Sequence, residues 1–400
     1  MKEKIYIRSR FKDIINFIKI PITRKGIIDQ APADVKPANT TVNSVSKLLH
    51  PSTQYLKIKS VTEISKDVRQ FVLEPDASRG TANLAYYRPG QYISVKHQIG
   101  NSLITRPYTL CDSPKRTFED EYLITVRNIP FGFSSAYIFE NWKKGTQLEA
   151  SEPAGTFFYQ PIRDLRHIIA ITDDLGAASF YSLARSVLDG TTDIDMTLLY
   201  GCRKKSEALF FDELKLIANM TNRFKVFFIF SDERVDKCEQ GFITKAFIEK
   251  HIPPHKFSVF INGSTQLFNQ VAPHLSAMKL ERKYVRFGIT GQIRDISSLP
   301  DFPQNAIGKT FLCKVIKNGE VTATVPCRSE ESLLVALERE GIEAPSRCRS
   351  GECGFCRAKL SKGNVFIPRQ TDARRKADTQ NGIIHPCISY PMSDITISVN

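Results

Sequence analysis

The residues best suited to chemistry are four cysteines. Between Arg347 and Arg357 the chain reads RCRSGECGFCR, which sets Cys348, Cys353 and Cys356 in a C-x4-C-x2-C run, and Cys387 stands further on. Three crowded thiolates plus one distant thiolate is the ligand layout of a plant-type [2Fe–2S] cluster. A zinc site would pair its cysteines as C-x2-C twice and would accept histidine, and a disulfide framework belongs to secreted chains. The spacing therefore favours a cluster ligated by Cys348, Cys353, Cys356 and Cys387. Gly351 and Gly354 suit a loop that turns backbone N–H groups toward sulfur from positive φ. Arg347, Arg349 and Arg357 flank the ligands. They read either as solvated surface charges, or as a field that raises the cluster potential and prefers an acidic docking face on a protein acceptor.

A second constellation is Arg106-Pro107-Tyr108-Thr109, placed just after a third strand. Alone it could be a cross-strand ladder. It could also seat a flavin, with the arginine on the phosphate, the tyrosine on the ring system or ribityl chain, and the threonine near N5. Gly132-Phe133-Ser134-Ser135 precedes a helical run, Ala136–Trp142. Free N–H groups and a hydroxyl at a helix start can hold a phosphate, or form an ordinary N-cap. Arg127 ends the strand leading into this turn and is counted with the cofactor-binding residues.

Elements must position these groups. The chain has 400 residues, 42% apolar and 24% charged, enough for two to three domains with real cores. The cysteines number nine, an odd count, and the five outside the cluster set are scattered, which fits a reducing compartment. No run approaches the roughly eighteen apolar residues of a membrane span, and no signal peptide opens the chain, so a cytoplasmic protein is expected. The net charge of +14 comes without a nucleic-acid-binding motif; it fits acidic protein partners or anionic lipid. Residues 1–52 read as an extension. From Ile7, the residues Phe11, Ile14, Ile15 and Ile18 share one helical face, with Lys4, Arg8, Lys12 and Lys19 off it and Pro21 as the stop. Such a helix can lie on an anionic membrane or pack on protein. The stretch from Gln30 to Thr41 reads as a linker.

Short strands at Tyr55–Val61, Val68–Leu73, Gln91–Val95 and Tyr122–Arg127 predict an antiparallel β-barrel over 53–160. Over 161–288, strands at His167–Thr172, Met196–Tyr200, Val226–Phe230 and Phe257–Asn262 alternate with helices, which predicts a parallel α/β sheet. Residues 289–306 read as a linker, and 307–400 as a strand-rich domain with a helix at Glu331–Glu340 that carries the cysteines.

In this order the motifs resemble the ferredoxin–NADP reductase superfamily, in its three-domain form of the phthalate dioxygenase reductase type, over 53–400. Arg106, Tyr108 and Thr109 fall on its R-x-Y-S/T motif, and Gly132 and Ser135 on its G-x-x-S flavin-phosphate motif. Pro153-x-Gly155-x-Phe157 looks like the members that use FAD, with FMN the alternative. The resemblance implies a flavin barrel, a nicotinamide domain and a β-grasp ferredoxin domain. It implies an NAD(P)H-dependent oxidoreductase passing electrons through flavin and cluster to a protein acceptor.

The nucleotide domain departs from the pattern. The family's glycine turn reads Asp173-Asp174-Leu175-Gly176-Ala177-Ala178-Ser179, keeping only Gly176, and its Cys-Gly-Pro reads Asn262-Gly263-Ser264. Two carboxylates there would crowd and repel a dinucleotide. Leu199-Tyr200-Gly201-Cys202-Arg203 keeps the family's strand end, where Arg203 would assist the nucleotide, and Phe287 falls where an aromatic often shields the flavin. The alternative is therefore an electron-carrier subunit with a lapsed nucleotide site.

Overall fold

The computed structural model describes residues 11–30, 40–173, 176–278, 280–289, 293, 295–369 and 371–399. The chain divides into two compact units, Met1–Leu48 and Leu49–Asn400. In the first, α1 (Phe11–Asp29) runs through Pro21 instead of stopping there. Proline's fixed φ is already helical, and its cost is one lost N–H bond plus crowding of the preceding turn. Two residues on, Thr23 Oγ1 donates to the Lys19 carbonyl at 3.0 Å. Phe11, Ile14, Ile15 and Ile18 are exposed, as are Phe17, Ile20 and Ile22 beyond the expected face. Ile7, Lys4, Arg8 and most of the expected linker lie outside the described residues. Helix α2 (Thr41–Leu49) follows.

The second unit opens with β1 (Gln54–Ser65), β2 (Val68–Pro75), β3 (Tyr92–Ile99), β4 (Ser102–Thr109), β5 (Tyr122–Arg127), α3 (Phe133–Asn141) and β6 (Gln147–Ala150). The strands pair antiparallel in the order β4-β3-β6-β1-β2-β5. Leu56 and Ile58, Phe71 and Leu73, and Ile93 and Val95 alternate inward with the period of two that one buried sheet face demands. Arg106-Pro107-Tyr108-Thr109 follows the third strand, as expected, and forms the end of β4, with Tyr108 opposite Ile93.

Next come β7 (His167–Thr172), α4 (Ala177–Leu188), β8 (Asp195–Cys202), α5 (Phe211–Met220), β9 (Phe224–Phe230), β10 (Glu239–Gln240), α6 (Lys245–His251), β11 (Ser258–Gly263), α7 (Thr265–Ala277) and β12 (Val285–Ile289). They build a parallel sheet, β10-β9-β8-β7-β11-β12. Its strands are apolar on both faces: Ile168 and Ala170 pack with α4 and α5, Ile169 and Ile171 with α6 and α7. The stretch read as a linker is packed, with Ile296, Leu299 and Phe302 buried against Tyr390.

The last part holds β13 (Thr310–Lys317), β14 (Glu320–Arg328), α8 (Leu333–Arg339), β15 (Ala358–Lys362), β16 (Val365–Phe366), α9 (Lys376–Gln380), β17 (Ile383–Ile384), β18 (Tyr390–Pro391) and β19 (Ile395–Val399). Its main sheet runs β14-β13-β19-β15-β17, with β13 and β19 parallel and the other pairs antiparallel. Leu333, Ala336 and Leu337 of α8 close the core over this sheet.

Candidate functional site

The loop between α8 and β15 wraps its cysteines as the spacing requires. Gly351 and Gly354 take φ of +79° and +65°. At Gly351 a Cβ would lie 2.5 Å from the Thr371 carbonyl, so no larger residue fits the turn. The N–H groups of Ser350 and Cys353 point at Cys348 Sγ from 3.5 and 3.4 Å, and that of Phe355 at Cys353 Sγ from 3.5 Å. Cys356 and Cys387 Sγ stand 3.4 Å apart. Hydrogen bonding from the Cys353 thiol, working against burial, lowers the Cys348 thiol from its ordinary value. Among the described residues no three His, Cys, Asp or Glu converge on a single ion. Hydrogen bonding groups the thiols in pairs, Cys348 with Cys353 and Cys356 with Cys387. Two pairs suit two irons better than one zinc.

This loop forms one wall of a cleft of about 670 Å³, to which it contributes Cys348, Arg349, Ser350 and Glu352. The barrel contributes Arg106, Pro107, Tyr108 and Thr109 from β4, Arg127 from β5, and Gly132, Ser134 and Ser135 at the start of α3. Ser135 Oγ accepts from Ile129 N–H at 3.0 Å, and Ser134 Oγ meets His97 Nε2 at 2.8 Å. The lobes are latched beside the cleft. Thr156 Oγ1 donates to Glu352 at 2.5 Å, and Arg347 Nη1 pairs with Glu152 at 3.1 Å.

A buried ionic group joins barrel and cluster loop. Glu338 of α8, 5% exposed, accepts from Arg349 and, at 3.4 Å, from Arg106 Nη1. Burial first, then the Arg349 charge, lowers Arg106 to about 10, so it stays a cation. Burial, then Arg106 and Arg349, pushes His97 down to about 4. The three flanking arginines are thus not a free basic face. Arg349 is buried, Arg347 pairs with Glu152, and Arg357 pairs with Asp378 at 3.2 Å.

The parallel sheet contributes Asn262 and Gly288 to the cleft, and α4 contributes Ala178 and Ser179. Asn262 Nδ2 donates to Ser179 Oγ at 2.8 Å, which turns its buried Oδ1 toward Gly288 with no protein partner. Asp173 turns toward the start of α7. Its carboxylate accepts from Ser264 N–H at 3.0 and 3.2 Å, next to the N-terminus of α7, where a helix favours negative charge. Asp174 and Leu175 lie outside the described residues. Gly176 serves close packing, since a Cβ would meet the Asn262 carbonyl at 1.8 Å. Arg203 and Phe287 are not among the cleft's lining residues. Arg203 projects from the end of β8, bound to Glu207 at 2.7 Å. Phe287 is half exposed and packs on Phe268, because strand alternation gives the cleft to its neighbour Gly288. Residue types alone did not single out Tyr92, whose buried hydroxyl lines the cleft without a protein partner, or Glu338.

The cleft fits a polar, planar cofactor: Tyr92 Oη, Asn262 Oδ1 and Arg349 Nη2 are buried lining atoms without protein partners, and Tyr108 offers an aromatic ring. Residues 55–159 match the oxidoreductase FAD-binding domain, 175–272 the oxidoreductase NAD-binding domain, and 315–392 the 2Fe-2S iron-sulfur cluster binding domain. The glycine betaine monooxygenase reductase subunit of Chromohalobacter salexigens is 23% identical, covering 83% of this chain and 91% of its own length. The ferredoxin reductase component of the 3-ketosteroid-9-alpha-monooxygenase of Mycobacterium tuberculosis is 25% identical, covering 85% and 93%. The solved structure of phthalate dioxygenase reductase has the same fold, with a TM-score of 0.63, 22% identity, and coverage of 87% and 98%.

Proposed function

We propose, starting from a chain that is a three-domain flavo-iron–sulfur oxidoreductase of the ferredoxin–NADP reductase type, that it draws electrons from NADH or NADPH and delivers them singly to an oxygenase component. One observation carries this reading: a single cleft is lined at once by the β4 and α3 motifs, by Cys348, and by Asn262 and Gly288. Bound there, FAD would take two electrons as hydride and release them one at a time, and the [2Fe–2S] cluster would relay each one. Arg106, Ser134 and Ser135 would hold the flavin phosphate, with Tyr108 and Thr109 at the ring system and Cys348, Cys353, Cys356 and Cys387 on the irons. Asn262 would orient the nicotinamide end of the nucleotide. Both relatives are, by name, reductase parts of monooxygenases, which supports an oxygenase as acceptor. Phe355, half exposed beneath Arg347 and between Cys353 and Cys356, is the proposed exit. An acidic face on the acceptor would complement the chain's +14 charge. Helix α1, with exposed Phe11 and Ile18, would add contact with an anionic membrane.

Anaerobic mixing with NADH or NADPH tests the donor. Flavin absorbance should bleach within seconds; no bleaching with either nucleotide, while dithionite still reduces the protein, would make the chain an electron carrier without a nucleotide site. Liposome binding lost on deleting residues 1–50 tests the membrane contact, and no binding by the intact chain would refute it.

A further inference from the structure

We propose that Arg349, in the cluster loop, is a ligand of the flavin phosphate, binding across the domain boundary in concert with Arg106 of the barrel; this rests on the flavin reading of the cleft. Arg349 follows a cluster cysteine yet is only 3% exposed. Its backbone sits at φ +56°, a left-handed conformation that non-glycine residues adopt at a cost. That turn carries the guanidinium away from solvent, toward the barrel. One nitrogen, Nη1, is bound to Glu338; the other, Nη2, is buried without a protein partner in a residue that lines the cleft.

The unpartnered nitrogen points to an acceptor outside the protein. Glu338 serves two guanidinium groups, those of Arg349 and Arg106. The carboxylates that line the cleft have other partners: Glu352 bonds to Thr156, Glu331 to Arg339, and Glu330 to the Gly308 N–H. A buried guanidinium N–H left without an acceptor is costly, and a phosphate oxygen supplies a charged acceptor. The α3 start, with Ser134 and Ser135, lies in the same cleft, so the anion that fits is a phosphate ester carried by a planar ring system. Flavin binding would then fasten the cluster loop to the barrel through one phosphate.

The test uses full-length, cluster-loaded protein stripped of flavin and titrated with FAD, FMN and riboflavin, binding being read from quenched flavin fluorescence. Arg349→Gln should weaken FAD and FMN by about ten- to hundredfold, the worth of a charge-assisted bond. Riboflavin, which lacks the phosphate, should bind as tightly as to wild type, with iron and sulfide content unchanged. Equal losses for riboflavin and FMN, or no loss for either, would overturn the assignment. If Arg349→Gln fails to hold its cluster, Glu338→Gln decides: freeing both arginines should tighten FMN several-fold relative to riboflavin, and an unchanged ratio refutes the proposal. Wild type that binds no flavin would sink the flavin reading itself, a separate outcome.

Discussion

Lowering the pH should loosen the flavin barrel through one imidazole. His97 is 7% exposed, stacked on Tyr137 at 5.8 Å, and surrounded by Arg106, Arg349 and Ser134. Burial, then the two guanidinium charges, pushes it down from 6.5 to about 4. Between those values the unfolded chain takes up a proton that the folded barrel refuses. Stability is therefore lost as pH falls from 6.5, and the loss saturates below about 4. The full gap corresponds to about 3 kcal/mol, of which about 2 kcal/mol is gone by pH 5. Glu352 of the cluster loop, pushed up by burial, works in the opposite sense as pH falls, but it lies outside the barrel. Asp112, held low mainly by Arg116 against the cost of its burial, gives up its contribution at lower pH. The chain's single tryptophan, Trp142, lies in the barrel core 6.1 Å from His97, so its fluorescence reports this domain. Urea unfolding of flavin-free protein at pH 7 and 5 should show the loss, and His97→Gln should abolish most of it. The same pH dependence in both proteins would refute the reasoning.

Two further perturbations probe the frame. Gly351→Ala forces a left-handed alanine, about 1–2 kcal/mol for the backbone alone, and sets its Cβ 2.5 Å from the Thr371 carbonyl; iron and acid-labile sulfide should fall well below wild type, and full cluster content would contradict the packing. Asp112 joins the barrel to the parallel sheet by accepting from Arg116 at 2.8 Å and from Arg185 at 3.1 Å. Asp112→Ala should cost about 2 kcal/mol in urea unfolding, and an unchanged midpoint would show that the contact contributes nothing.

The cluster was legible because ligand spacing is local: four cysteines and two glycines define a loop within one stretch plus Cys387. Strands with inward alternation, such as Phe71 and Leu73, were legible for the same reason. What failed was partner choice between distant residues. Asp173 looks like an obstacle until Ser264, 91 residues on, supplies an N–H to its carboxylate. Arg349 looks like surface charge until Glu338 buries it. The hairpin turn at Gly100-Asn101 was the overlooked signal that Arg106 to Thr109 lie inside β4. Phe287 missed the cleft by one residue of register, the smallest error that sends a side chain to the opposite face.

The position of β19 has a consequence for synthesis. The last described strand of the chain is not an edge strand; it lies between β13 and β15, in the middle of its sheet. A ribosome making this protein would expose β13 and β14 before their neighbour exists, so the iron-binding lobe cannot close until β19 has emerged. Loading of iron and sulfide is thereby deferred until β19 has been made, and removing as little as Ile395–Val399 should leave the first two domains foldable and the third without its keystone.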